Sequence, residues 1–251
     1  MVTFNSETRA GFGSSRRDSA ECSVERNVPL FMSRGLFVTG TDTGVGKTTV
    51  ACALTSAWAA RGIKVGVMKP CETGDGNDAE RLVAASGRPL PLELVRPYAF
   101  SLPLSPQVAA SRENKDIEIE NLQLAFQTLA TDADWMVVEG AGGLLVPIAK
   151  NFTMADLAKQ LDLALLIVAR PGLGTINHTL LTVQAALTRN LKVSGFVFSS
   201  PHPEPEAETN ARVITEHSAV PFLGLLPAIA TENLATSAQT HLPRALALLT
   251  R

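Results

Sequence analysis

From residue 35 onward, short apolar runs alternate with longer stretches in which apolar residues recur every three or four positions. The runs at 35–39, 64–68, 135–139, 163–169, 193–198 and 222–225 predict strands, and the stretches at 46–61, 77–86, 119–131, 153–161, 177–189 and 206–217 predict helices. In the fifth helical stretch Ile176, Leu180, Val183 and Leu187 fall on one stripe, as a helix laid on a sheet requires. Strands that are apolar at nearly every position are covered on both faces. The pattern therefore predicts an α/β fold, with a mostly parallel sheet and helices on both sides of it. Ligands of such a sheet gather at the carboxyl ends of its strands. The segment 88–106 carries five prolines and reads as a long irregular connection.

Composition narrows the picture. The chain has 251 residues, 45% apolar and 18% charged, with a net charge of -2. That is enough for one sizeable domain, placed at 34–251. The near-neutral balance supplies no electrostatic reason to expect a nucleic acid or a membrane surface as partner. Nowhere do eighteen apolar residues run uninterrupted, as a spanning helix would need. Cys22, Cys52 and Cys71 lack metal-ligand spacing and cannot all pair within one chain, which points to a reducing, cytoplasmic compartment. Cys71 reads as a small buried thiol. Residues 1–33 are rich in Ser, Arg, Glu and Gly and show no hydrophobic period, so they read as a disordered N-terminal extension. Met32-Ser33-Arg34 is an alternative start of translation.

Three segments carry chemistry. The first, "TGTDTGVGKTTV" at 39–50, follows a predicted strand and opens a predicted helix. Gly44 and Gly46 let the backbone turn sharply around Val45 and present N–H groups inward to phosphate oxygens. Lys47 adds a point charge, Thr48 a hydroxyl for magnesium, and Thr49 continues the helix start. The bland alternative is a glycine turn feeding an ordinary helix. The opening glycine of the usual phosphate loop is replaced, with Thr41, Asp42 and Thr43 in its place.

The second segment, "VMKPCETG" at 67–74, puts Lys69 at a strand end on the same rim, stiffened by Pro70. Alone it reads as a solvated lysine. Asp78 then opens a helix, where a carboxylate favours the N-terminus in any case. In the third, "WMVVEGAGGLLVPI" at 135–148, Glu139 ends a strand, and Gly140, Ala141, Gly142 and Gly143 let backbone approach a ligand closely. The plain reading is a polar strand end and a flexible turn. Thr48, Asp78 and Glu139 together offer the hard oxygens magnesium prefers.

With "LSPQVAA" and "GLGTINHTLLT" added in order, the chain resembles the dethiobiotin synthetase family over nearly all of 35–234, and that family's phosphate loop carries the same "TDT" entry. The resemblance implies a P-loop NTPase fold and an ATP-dependent ligase. In this family 7,8-diaminononanoate, carbon dioxide and ATP give dethiobiotin, ADP and phosphate through a carbamate and a carbamic-phosphoric mixed anhydride. It implies Lys69 as the catalytic lysine, with Thr43 and Thr73 near the substrate. The nucleotide would lie along Gly44, Val45, Gly46, Lys47, Thr48, Thr49, Asp78, Glu139, Gly140, Ala141 and Gly142. It further implies a homodimer in which Gly174, Thr175, Ile176 and Asn177 of the partner receive the substrate carboxylate; a plain loop-to-helix junction is the alternative there. Where the family commonly carries an Asn-Asp pair to read the base, this chain has Ser199 and Ser200, with Leu226, Pro227 and Ala228 as further pocket walls. Strict selection of adenine is therefore not expected.

Two other classes share such a loop. Chromosome-partition ATPases usually carry a second lysine early in the loop, where this chain has Thr41-Asp42-Thr43, and no basic run is present to hold DNA. Amidating synthases of the cobalamin-precursor type would normally need an attached glutamine-amidotransferase part, for which no room remains.

Overall fold

The computed structural model describes residues 35–228 and 233–250. The extension expected at 1–33 lies outside the described residues. The chain runs β1 (Gly35–Gly40), α1 (Lys47–Ala59), β2 (Val65–Met68), β3 (Cys71–Thr73), α2 (Asp78–Ser86), α3 (Leu92–Val95), β4 (Tyr98–Phe100), α4 (Pro106–Arg112) and α5 (Ile119–Ala130). It continues through β5 (Trp135–Gly143), β6 (Pro147–Ala149), β7 (Phe152–Thr153), α6 (Met154–Gln160), β8 (Ala164–Ala169), α7 (Thr175–Leu187), β9 (Val193–Ser199) and α8 (Ala207–Ser218). β10 (Phe222–Leu226), α9 (Leu234–His241), α10 (Pro243–Leu246) and a 3-10 turn (Ala247–Thr250) close it.

Six strands form one sheet in the order β10-β9-β8-β1-β5-β2, every neighbouring pair parallel. Alternation along the strands divides the core between its two faces. Ile167 and Ala169 of β8 and Phe196 and Phe198 of β9 pack with Val183 of α7 and Ala207, Ala211 and Ile214 of α8. Leu166, Val168 and Val197 point the other way, into the larger cluster with Leu54 and Trp58 of α1 and Ala238 of α9. Both faces are thus sealed by helices, which is why the strands read as unbroken apolar runs. The strands being parallel, their carboxyl ends share one rim, and Lys69 and Glu139 meet there.

The segment 88–106 is more ordered than its prolines predict. Tyr98, Ala99 and Phe100 pair in parallel with Cys71, Glu72 and Thr73, making a two-stranded extension, and the Lys69 N–H donates to the Val95 carbonyl at 2.7 Å. The prolines sit outside the three paired residues, so they do not interrupt that short ladder.

Candidate functional site

α1 begins at Gly46, whose φ of 94° is left-handed, and no side chain caps it. The first amides of the helix are therefore open to an external acceptor, beside a helix dipole that favours an anion. A Cβ on Gly46 would collide with the Ser199 hydroxyl, so glycine is required by contact as well as by conformation. Gly44 also has positive φ, at 71°.

Across the rim, β2 delivers Lys69 and β5 delivers Glu139. The Lys69 Nζ donates to Glu139 Oε1 at 2.6 Å and to Asp78 Oδ2 at 2.7 Å. The Thr48 hydroxyl donates to the same Glu139 Oε1 at 2.8 Å. Glu139 is wholly buried, and its Oε2 has no hydrogen-bond partner among the described residues. Two carboxylates and a hydroxyl, one carboxylate oxygen still unsatisfied, suit a small hard cation. Among the described residues no cluster of three His, Cys, Asp or Glu offers a rival cage.

Lys47 is buried in the same cavity and donates to the Asp42 carbonyl at 3.0 Å. Burial lowers its pKa to about 8, with the Lys69 ammonium acting the same way and Glu139 opposing. For Lys69 burial also opposes the charge, but Glu139 and Asp78 outweigh it and hold the ammonium above the usual lysine range. Burial likewise works against the Asp78 carboxylate, yet Lys69 keeps it below the ordinary range.

These groups line a cavity of about 330 Å³ together with Thr43, Thr73, Ala141 and Gly142. A larger cavity of about 670 Å³ adjoins it, lined by Gly44, Val45, Gly46, Thr49, Thr175, Ser199, Ser200, Pro227 and Ala228 among others. Lys47, Thr48, Asp78 and Glu139, expected around phosphate and metal, thus meet in the small cavity, and Gly44, Gly46 and Thr49 border both. Val45 and Thr175 open onto the large one with Ser199, Ser200, Pro227 and Ala228, the residues expected around the base. Neither is lined by Gly140, Leu226, Ile176 or Asn177. Gly140 packs under the Phe37 ring, and Leu226 is buried with its carbonyl accepting the Ser200 N–H at 3.1 Å. Ile176 packs on the α7–α8 core, while Asn177 is exposed. Gly174, φ 91°, starts α7 without a side-chain cap, as Gly46 starts α1.

One buried group escaped the motif reading. Glu72 accepts the Asp78 N–H and pairs with Arg96 at 2.7 Å, so it fixes the start of α2 and with it Asp78. Its place within "KPCETG" was visible; its partner, 24 residues on, was not. Cys52 and Cys71 are buried free thiols whose pKa burial pushes up to about 12, which leaves them unreactive.

The chain is similar to known proteins in sequence and in fold. A family model described as an AAA domain matches residues 34–233. The ATP-dependent dethiobiotin synthetase of Anaeromyxobacter dehalogenans (strain 2CP-C) is 48% identical over 200 residues, which cover 77% of this chain and 90% of that protein. The enzyme of the same name from Thermodesulfovibrio yellowstonii is 41% identical over 220 residues, covering 80% and 92%. That from Bacillus licheniformis is 40% identical over 201 residues, covering 77% and 86%. Among solved structures, the MinC:MinD cell division protein complex of Aquifex aeolicus is 15% identical with a TM-score of 0.50, covering 82% of this chain and 86% of that one. That likeness is one of fold.

Proposed function

The chain belongs to the dethiobiotin synthetase family, and we propose that it closes the ureido ring of dethiobiotin from 7,8-diaminononanoate, carbon dioxide and ATP. It is an ATP-dependent ligase of biotin biosynthesis. The observation that carries the finer reading is the meeting of Lys47, Lys69, Thr48, Asp78 and Glu139 in one cavity beside an uncapped helix start.

In this reading one amine of the diamine adds to carbon dioxide and loses a proton, giving a carbamate. The carbamate oxygen attacks the γ-phosphorus of ATP and ADP leaves. The second amine then attacks the carbonyl carbon of the mixed anhydride, expelling phosphate and a proton as the five-membered ring closes. Carbamate and triphosphate repel each other, so the step needs concentrated positive charge held in place. Lys47 and the first amides of α1 hold the phosphates. Lys69, the proposed catalytic residue, faces the carbamate and the moving phosphoryl group. Thr43 and Thr73 border the substrate side of the same cavity.

Thr48, Asp78 and Glu139 would hold a magnesium ion, and the unsatisfied Glu139 Oε2 supports that fit. Such an ion supplies charge neutralisation for the nucleotide phosphates. The substrate carboxylate is assigned to the α7 start, Gly174 to Asn177, of a second copy, which makes the enzyme a homodimer. Support comes from the uncapped Gly174 and from exposed Leu145 and Leu181 nearby. A cytoplasmic location fits the two buried free thiols.

The test is ADP release measured with diaminononanoate and bicarbonate, each omitted in turn. Release that requires both supports the ligase reading. Release indifferent to the diamine would make the protein a nucleotide switch instead.

A further inference from the structure

The phosphate loop is gripped from two sides. Lys47 donates to the Asp42 carbonyl at 3.0 Å, and Arg170, which follows the end of β8, donates through Nη2 to the next carbonyl, that of Thr43, also at 3.0 Å. Lys47 opens onto the small cavity and Arg170 onto the large one. Of the further cations at or beside the site, Lys69 pairs with Glu139 and Asp78, Arg81 with Asp78, and Arg96 with Glu72 and Glu80. Arg170 has no carboxylate within ion-pair distance among the described residues, although Asp42 and Glu204 line the same cavity. A guanidinium carries five N–H donors, and the bond to Thr43 uses one. Its Nη2 lies 3.7 Å from where a Cβ on Gly44 would be, in ordinary contact range, so the guanidinium sits directly over the loop.

An unneutralised guanidinium with free donors, anchored to the loop and facing a cavity between that loop and Ser199-Ser200, suits a phosphate oxyanion. We propose that Arg170 contacts the phosphate chain of the bound nucleotide, from the side opposite Lys47. It thereby contributes to holding the cosubstrate independently of which base it carries. The inference rests on the nucleotide reading above and deepens it. It also suits a site whose base-facing residues are two short serines, because affinity can then come from the phosphates rather than from the base edge.

The experiment is calorimetric binding of ADP and ATP, with magnesium and without diamine, to the full chain and to three variants. Arg170→Ala is expected to weaken ADP binding about tenfold to a hundredfold, the scale of one lost charge-assisted contact. Arg170→Lys keeps a charge and should recover part of that loss. Arg170→Gln keeps a donor for the Thr43 carbonyl but no charge, and should remain as weak as the alanine variant. Wild-type-like binding by Arg170→Ala, within about twofold, overturns the inference. So does full recovery in Arg170→Gln, which would reduce Arg170 to a prop for the loop. If the wild-type chain binds neither nucleotide, the nucleotide reading falls and this inference with it. Normal wild-type binding with an indifferent Arg170 sinks this inference alone.

Discussion

Lys69 and Glu139 form a buried ion pair, with Nζ 2.6 Å from Oε1 and both side chains almost wholly removed from water. Asp78 and Thr48 complete the arrangement from the same rim. Removing Lys69 leaves a buried Glu139 carboxylate with only the Thr48 hydroxyl, and removing Glu139 leaves a buried Lys69 with Asp78 alone. Breaking a buried pair typically costs about 3–5 kcal/mol, a loss that these remaining partners reduce, and removing both members costs less than the sum. Lys69→Met and Glu139→Gln should therefore each lower the denaturation midpoint, and the double variant should be more stable than the sum of the two losses predicts. Chemical denaturation of the four proteins checks this. Additive losses would mean the two groups do not sense each other.

Turnover separates the same residue's chemical role from its structural one. Lys69→Ala is expected to lose at least about tenfold to a hundredfold in kcat, corresponding to about 1.5–3 kcal/mol of charge-assisted contact. ADP affinity should change far less, because the phosphate-facing Lys47 and the α1 amides stay in place. Near-normal turnover would remove Lys69 from the mechanism.

Lys47 makes the site pH-sensitive in a direction that can be stated. Its folded pKa, about 8, lies below the ordinary 10.5 because burial disfavours the ammonium. Between these values the unfolded chain holds more protons than the folded one, so this group's contribution to stability rises with pH across that window. Nucleotide binding runs the other way, since phosphate needs the ammonium. Nucleotide affinity in the presence of magnesium should be flat below pH 8 and fall above it while the free protein loses no stability on this account. Lys47→Arg, always charged, should flatten the profile. A profile that persists unchanged in that variant would assign the titration elsewhere.

Base choice follows from how the two serines are held. The Ser199 hydroxyl lies against Gly46, while Ser200 donates its N–H to Leu226 and accepts the His202 N–H at 3.2 Å. Neither presents an amide that can donate and accept along a base edge. With hydrogen bonds worth about 1 kcal/mol each missing, ATP, GTP and CTP should support kcat/KM values within a few-fold to tens-fold of one another. A preference for ATP far beyond that range would show that another segment reads the base.

Legibility of the fold tracked burial on two faces. The six strands of the main sheet were readable because sheet packing forces nearly every position apolar, and Lys69 and Asp78 stood out as charges at element ends. Glu139, expected to end its strand before a glycine turn, instead lies within β5, because the small residues after it keep pairing with β1 as far as Gly143. β3 and β4 were not readable. Three residues cannot establish a period, and Pro97 and Pro103 on either side of Tyr98–Phe100 look like loop. Leu226 was expected as a pocket wall by resemblance, yet as the last residue of β10 its side chain is buried in the core. Arg170 and Glu72 matter through partners 127 and 24 residues away, and such pairings leave no local signature.

The proposed sharing of the substrate site between two copies has the most direct consequence. Leu145 and Leu181, 47% and 60% exposed, line a third cavity of about 440 Å³ with Val146, Pro147 and Ala185, and Thr41 and Asp42 of the phosphate loop reach the same space. Apolar side chains exposed beside a loop of the site are where a second copy would sit. Leu181→Glu places a charge there at little folding cost, about 0.5 kcal/mol for an exposed helix position. Sedimentation should then report a monomer where the wild type reports a dimer. Losing the partner's α7 start should raise the KM for the diamine at least about tenfold, the scale of a lost carboxylate contact, with ADP affinity kept within a few-fold. A Leu181→Glu monomer with an unchanged KM for the diamine would mean each copy holds its own substrate, and the start of α7 would lose its assigned role.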